Sequence, residues 1–321
     1  MAVKYLNLDL ASGSNDGTTK ADAWQSLADM VAGMAAGDDI RGTGGETLSA
    51  AVDLGTTAGT VADPITLTAY DATLTTPTPG AIVIDCNGTS NPFLCTPQSI
   101  FVMVGVEAHN SGAAMFSISG GDGLTLKDCY FHDGVDFMSA SNESINIFGC
   151  TVDTFSGYGI ISFGSDSHII GNIFSNITGD FINTSRTFQF IGNLVFNLSS
   201  YGIYYTGTVS CTISDNTFHK VTGNAIEITT GSVNTGVVIR NNRITNGSAW
   251  GIVGAAGALI FGDYNAFYLN DSGEKSIATY IGGDNDVSMS SAGYLDTTSK
   301  VYNLKQDAEA RNIAVKIGCS F

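Results

Sequence analysis

The feature that most constrains this chain is a repeat of about 22 residues that runs from residue 98 to residue 268. One line of it reads Leu124-Thr-Leu-Lys-Asp-Cys129-Tyr-Phe131, and the next reads Ile145-Asn-Ile-Phe-Gly-Cys150-Thr-Val152. Phe188-Gln-Phe-Ile-Gly-Asn193-Leu-Val195 and Val237-Val-Ile-Arg-Asn-Asn242-Arg-Ile244 continue it. A unit this short cannot bury an apolar face without neighbours, so the period means stacked rungs. Anchoring the repeats on Val106, Cys129, Cys150, Asn172, Asn193, Asn216, Asn242 and Asn265 puts chiefly apolar residues three and five places earlier. Two places later stand Ala108, Phe131, Val152, Phe174, Val195, Phe218, Ile244 and Phe267. This alternation with period two around a bend buries one side of each short strand.

Gly, Asp or Asn precedes most anchors, and Asn occupies five of the eight. Asn tolerates left-handed backbone, and its amide can bond the amide of the next rung, so stacked Asn forms a ladder along a coil of parallel strands. Cys129 and Cys150 hold ladder positions in adjacent rungs. The ~4.8 Å strand spacing leaves a disulfide within reach, and small buried thiols standing in for Asn are the preferred reading. A second apolar line follows at Met115, Phe137, Ile160, Phe181, Ile203, Ile226 and Ile252. It gives each rung a further strand.

Around the repeat, three parts are expected in one continuous domain: an N-terminal segment over 1–45, the coil over 46–275 and a closing segment over 276–321. Trp24, Leu27, Ala28, Val31 and Met34 fall at helical spacing, which predicts a capping helix of about 14 residues over the first coil. Val301-Tyr-Asn-Leu304 followed by Asp307 to Arg311 reads as a closing strand and turn. The 39 glycines, five prolines and few charges fit short strands joined by tight turns. A formal charge of −17 argues against non-specific binding to nucleic acid or anionic membrane. No stretch approaches the roughly 18 apolar residues of a membrane span, and the start lacks the apolar core of a signal peptide. Six cysteines show no metal spacing and read as mostly reduced and buried.

With three short sheets per rung, the repeat resembles the right-handed parallel β-helix superfamily, the pectate-lyase-like solenoids that include polysaccharide lyases, polygalacturonases and phage tailspikes. The resemblance implies an all-β, right-handed, single-stranded parallel β-helix over nearly the whole chain. Its enzymes carry constellations that this chain lacks. Asn183-Thr-Ser departs from the polygalacturonase Asn-Thr-Asp segment, and Gly-His-Gly is absent. Asp38-Asp39, the only Asp-Asp pair, lies outside the regular rungs. Lyases of this fold need a base and either calcium or a basic side chain against the uronate carboxylate. The regular coil offers only Lys127, Arg186, Lys220, Arg240 and Arg243. No cofactor is expected; calcium is the one ion the fold admits, and these residues do not indicate it.

Two groupings carry chemistry. Outward positions beside the anchor place His109 over His132 in neighbouring rungs, with Glu107, Tyr130, Asp133 and Asp153 close by. His and Tyr suit acid and base roles, and solvated polar side chains beside a turn are the plain alternative. Lys220, Arg240 and Arg243 form a basic grouping, with His219 and Glu227 nearby in sequence, and surface ion pairs are their plain alternative.

One place after the second apolar line, parity points Phe116, Met138, Ile161, Ile182, Tyr204, Glu227 and Val253 outward. Six of these seven are apolar or aromatic, and stacking would make a stripe about 30 Å long. A soluble monomer rarely leaves such a stripe bare; a loop of the same chain, a glycan stacked on Tyr204 or another subunit would cover it, and the mostly aliphatic run of Phe116, Met138, Ile161, Ile182, Tyr204 and Val253 favours a subunit. The resulting expectation is a non-catalytic or glycan-binding homotrimeric spike at a virion or extracellular surface. Its partners would be other virion proteins or a surface glycan. The alternative is a polysaccharide-degrading lyase or glycoside hydrolase that uses Glu107, His109, Tyr130, His132 and Asp153.

Overall fold

The computed structural model describes residues 2–304 apart from 56, 58, 61, 96–99, 120–122, 142, 230–235, 278, 290–293 and 297–300. Two compact units, residues 1–179 and 180–321, divide the chain. Each is an all-β stack of parallel rungs, and a rung lays down three strands, one on each of three sheets called A, B and C in chain order. Each unit contributes five strands to sheet C, which corresponds to about ten turns of coil. A representative rung of the first unit runs Gly123–Lys127 on A, Tyr130–Gly134 on B and Asp136–Ala140 on C. In the second unit, Thr212–Ser214, Thr217–Val221 and Ile226–Ile228 play these parts.

The corner between sheets A and B needs only two residues. The first is left-handed: φ is 53° at Asp128, 63° at Gly149 and 69° at Gly171 in the first unit, and 61° at Asp215 and 55° at Asn241 in the second. The repeat thus places left-handed backbone on the residue before the anchor, where Gly, Asp and Asn collect. The anchor follows, and the bend leaves the expected inward residues in register. Leu124 lies against Phe101 and Ile145, and Phe131 against Ala108 and Val152. All six are buried. A second left-handed residue ends sheet B four places after the anchor, at Asn110, Asp133, Thr154 and Asn176, and at Asn197, Lys220 and Asn246.

The Asn ladder forms. In the second unit the Nδ2 atoms of Asn193, Asn216 and Asn242 donate to Oδ1 of Asn216, Asn242 and Asn265 at 3.1, 3.0 and 3.1 Å. The same Oδ1 atoms also accept the backbone N–H of the preceding anchor. Asp286 occupies the next step, where Oδ1 accepts both Asn265 N–H groups at 2.7 and 3.2 Å. Its Oδ2 accepts from Lys275 Nζ at 2.8 Å and Tyr280 OH at 2.7 Å. In the first unit Asn172 accepts the Cys150 N–H and donates to the Ile147 carbonyl. Cys129 and Cys150 are free buried thiols, as are Cys86, Cys95 and Cys211. Cys129 Sγ donates to the Lys127 carbonyl at 3.2 Å, which gives the thiol part of the amide's bonding.

Sheet C departs from the sequence reading. Phe116, Met138 and Ile182 are fully buried, and so are Phe137 and Phe181 just before them. On entering sheet C the chain turns a corner at which two successive residues face inward, so period two fails for one step. The inward column is Phe93, Phe116, Met138 and Ile160 in the first unit, and Ile182, Ile203, Ile226 and Ile252 in the second. The outward column is Leu94, Ser117, Ser139 and Ile161, then separately Asn183, Tyr204, Glu227 and Val253. Polar residues interrupt both. The expected stripe is therefore absent as a continuous apolar surface: Phe116, Met138 and Ile182 belong to the core, while Ile161, Tyr204 and Val253 are half-buried and face out.

The ends also differ from expectation. The N-terminal helix covers only Leu27–Gly33, with Ser26 as its cap accepting from Asp29 N at 3.0 Å. Trp24 stays extended, bridged to Leu6. Val3–Asn7 already pairs in parallel with Asp39–Thr47, so the stack begins before residue 46. Beyond residue 275, Tyr280–Gly282 and Val287–Ser288 continue sheets A and B. Tyr294–Asp296 and Val301–Leu304 pair antiparallel, while Asp307 to Arg311 and Cys319 lie outside the described residues.

Three substitutions test this arrangement. Asn216→Ala removes the four buried hydrogen bonds made by the Asn216 side chain and is expected to cost about 3 kcal/mol, read as a lowered urea midpoint. Met138→Asp should cost more than about 3 kcal/mol by burying a carboxylate. Ile161→Asp on the outward column should change stability by less than about 1 kcal/mol and leave the light-scattering mass unchanged.

Candidate functional site

The five candidate residues Glu107, His109, Tyr130, His132 and Asp153 meet on the outward side of sheet B, wholly within the first unit. Parallel pairing creates two columns there. One carries Val83, Glu107, Tyr130, Thr151 and Ile173; the other carries Asp85, His109, His132, Asp153 and Ser175. The two-residue corner is responsible, because it fixes which residue of each rung starts sheet B. Side chains on adjacent rungs are then held near the ~4.8 Å backbone spacing.

His132 is the centre of the group. Its Nδ1 lies 2.7 Å from Asp133 Oδ2, and its Nε2 lies 3.3 Å from Glu107 Oε1. Ionised carboxylates only accept, so both contacts are hydrogen bonds when both ring nitrogens carry hydrogen. The ring stacks on His109 at 5.1 Å and 17°, and on Tyr130 at 4.4 Å and 21°. His109 Nδ1 is 4.0 Å from Asp85 Oδ1. Asp153 accepts from Ser175 Oγ and, at 2.6 Å, from Asn176 Nδ2, both on Oδ1. The two carboxylates Glu107 and Asp153 thus bracket the stacked rings on rungs to either side of Tyr130.

Tyr130 is 38 % exposed. Burial of its phenol, and then the charges of Asp153, Asp133 and Glu107, raise its pKa above the ordinary value. At neutral pH it is a hydrogen-bond donor and not a phenolate base. The two columns contain no Lys or Arg, and four carboxylates surround two imidazoles. Such a surface repels an anionic ligand and offers acceptors and ring faces to a neutral one. Among the described residues no three His, Cys, Asp or Glu side chains gather to hold a metal ion.

Asp85, Ser175 and Asn176 were missed by the sequence reading. Asp85 lies one rung before the first aligned anchor, and extending the alignment to Ile82-Val-Ile-Asp85 would have found it.

The basic grouping comes apart. His219 and Arg243 are buried, Lys220 and Arg240 are exposed on different sheets, and Glu227 faces out from sheet C. His219 Nδ1 is 2.9 Å from Thr245 Oγ1. Burial, with Lys220 and Arg243 adding to it, lowers the His219 pKa from 6.5 to about 4. Over that interval the unfolded chain binds a proton that the folded chain refuses, so stability falls as pH drops from about 6.5 to about 4. The expected loss is on the order of 3 kcal/mol, and a His219→Gln variant should show a flatter dependence in denaturant titrations across this window.

A family model for the right-handed β-helix region matches residues 71–218 and 178–291. The chain belongs to the right-handed β-helix family. Among solved structures it is similar to pectate lyase Pel9A, with a TM-score of 0.64 and 15 % identity over 96 % of this chain and 90 % of that one. It is also similar to a GH136 lacto-N-biosidase from Eubacterium ramulus, with a TM-score of 0.56 and 10 % identity over 89 % of this chain and 67 % of that one. At these identities the likeness is one of fold. None of the curated proteins compared matches the chain in sequence. No helix among the described residues is long and apolar enough to cross a membrane.

Proposed function

We propose that the protein degrades a neutral polysaccharide by hydrolysis on the outward face of sheet B in the first unit. The observation that carries this reading is His132 held between Glu107 and Asp133, with Tyr130 stacked on its ring at a half-open surface. In the proposed reaction, the Glu107–His132 pair delivers a proton to the leaving glycosidic oxygen. Asp153, fixed by Ser175 and Asn176, acts as base toward water. Two rung spacings separate Glu107 from Asp153 along the stack, about 10 Å of backbone, which leaves room for a sugar and a water between them. Tyr130 supplies a ring face for the sugar and a neutral hydroxyl. The absence of basic side chains from these columns favours hydrolysis of a neutral chain over elimination from a uronate. The pectate lyase and the lacto-N-biosidase of similar fold support a carbohydrate substrate in general, and the choice of a neutral chain rests on the side chains of the two columns alone.

We take this reading ahead of the homotrimeric virion spike. That expectation rested on an exposed apolar stripe, half of which is core.

Incubation with a panel of neutral and uronate-rich polysaccharides, followed by reducing-end and unsaturated-product assays, tests the proposal. Reducing ends should appear from a neutral glycan, and His132→Ala should lower their rate by at least about 100-fold while the protein stays folded. Failure to cleave any glycan, or cleavage that His132→Ala leaves intact, would count against it. Unsaturated ends released from a uronate would replace hydrolysis by elimination.

A further inference from the structure

A second cluster, wholly within the second unit, lies on the outward side of sheet C and takes no part in the chemistry above. Asn183, Tyr204 and Glu227 are consecutive members of its outward column. Asp180, Tyr201 and Asn224 lie three residues earlier on the same three rungs. The rings of Tyr201 and Tyr204 are 5.3 Å apart and inclined by 44°, which makes a shallow two-sided platform. Both tyrosines are half-buried, so the rings are fixed while one face of the cluster stays open.

Each carboxylate is oriented by its own neighbours. Asp180 accepts from Ser200 Oγ at 2.6 Å and from Asn183 Nδ2 at 3.3 Å. Glu227 accepts from Asn224 Nδ2 at 2.6 Å on Oε2, and Asn224 Oδ1 itself accepts from Trp250 N at 3.0 Å. Oε1 of Glu227 and the hydroxyls of Tyr201 and Tyr204 have no hydrogen-bond partner among the described residues. The charge of Glu227, then burial, then the charge of Asp180 raise the Tyr201 pKa above its ordinary value, so both carboxylates act on that ring and its hydroxyl stays protonated.

We infer that the Tyr201/Tyr204 platform, with Asp180 and Glu227, is a binding site for a neutral glycan. The ring faces match the C–H face of a pyranose, and the oriented carboxylates accept from its hydroxyls. A flat apolar protein partner would strip water from both carboxylates without repaying them, and a uronate would meet like charge. The inference shares with the catalytic reading only its choice of carbohydrate. It needs neither His132 nor turnover.

The test uses the full chain carrying Tyr130→Ala and His132→Ala, so that the first-unit site neither stacks nor turns over sugar. Calorimetric titration with a series of neutral oligosaccharides should show binding that moderate salt barely changes. Tyr204→Ala and Glu227→Gln, added singly, should each weaken it at least tenfold, while Tyr204→Phe, which keeps the ring, should retain most of it. Absence of binding to every neutral oligosaccharide, equal binding by the Tyr204→Ala and Glu227→Gln proteins, or binding that collapses with salt would overturn the inference. Undiminished cleavage of glycan by the His132→Ala protein would sink the catalytic reading and leave this one to be judged by the titration alone.

Discussion

Everything outside the core of this protein depends on how one rung registers on the next at the corner between sheets A and B. Parallel strands can slip by two residues with little change in hydrophobic burial. The buried amide column removes that freedom, because each Asn Oδ1 must meet both the backbone N–H and the side-chain N–H of one particular residue on the preceding rung. An offset of a single step leaves several buried polar groups without partners, at roughly 1–3 kcal/mol each. The ladder therefore specifies register more than it adds cohesion. It also sets which side chains of those rungs share a column, so that Leu194, Thr217 and Arg243 lie in line.

This explains why one part of the fold was legible in the sequence and another was not. Near the anchors the corner is short and its residues are chemically marked, with a left-handed Gly, Asp or Asn followed by a buried Asn or Cys. Counting by twos from such a point gives the correct face for Phe131, Val152 and Phe218. Sheet C lies farther along, beyond the second left-handed residue and a corner of variable length. There Phe137 and Met138 both turn inward, and a count by twos comes out one place wrong. Apolar character does not reveal the slip, since both residues are apolar.

The same distinction governs the sites. Glu107, His109, Tyr130, His132 and Asp153 stand one or three residues after an anchor, so the repeat alone aligns them. Asp85 escaped because it precedes the regular repeat. The Tyr201 and Tyr204 cluster escaped for a different reason: Tyr204 and Glu227 were correctly placed on an outward column but grouped with Phe116 and Met138, whose burial removes the apolar company that made them look like an assembly surface. Once those neighbours are assigned to the core, the remaining column reads as Asn, Tyr, Glu and Val. That is a polar, ring-bearing surface.

Asp286 gives the ladder a direction. An amide both accepts and donates, so each Asn can receive from the rung before and pass a hydrogen onward. A carboxylate only accepts. Asp286 takes the last two N–H groups from Asn265, fills its other oxygen with Lys275 and Tyr280, and passes nothing on. The change from amide to acid is thus a stop signal written in hydrogen-bond polarity. Rungs duplicated ahead of it would inherit a complete set of partners, whereas a rung added after it would find no donor to receive. In a solenoid whose every repeat resembles its neighbours, the number of amide rungs is set at one side chain.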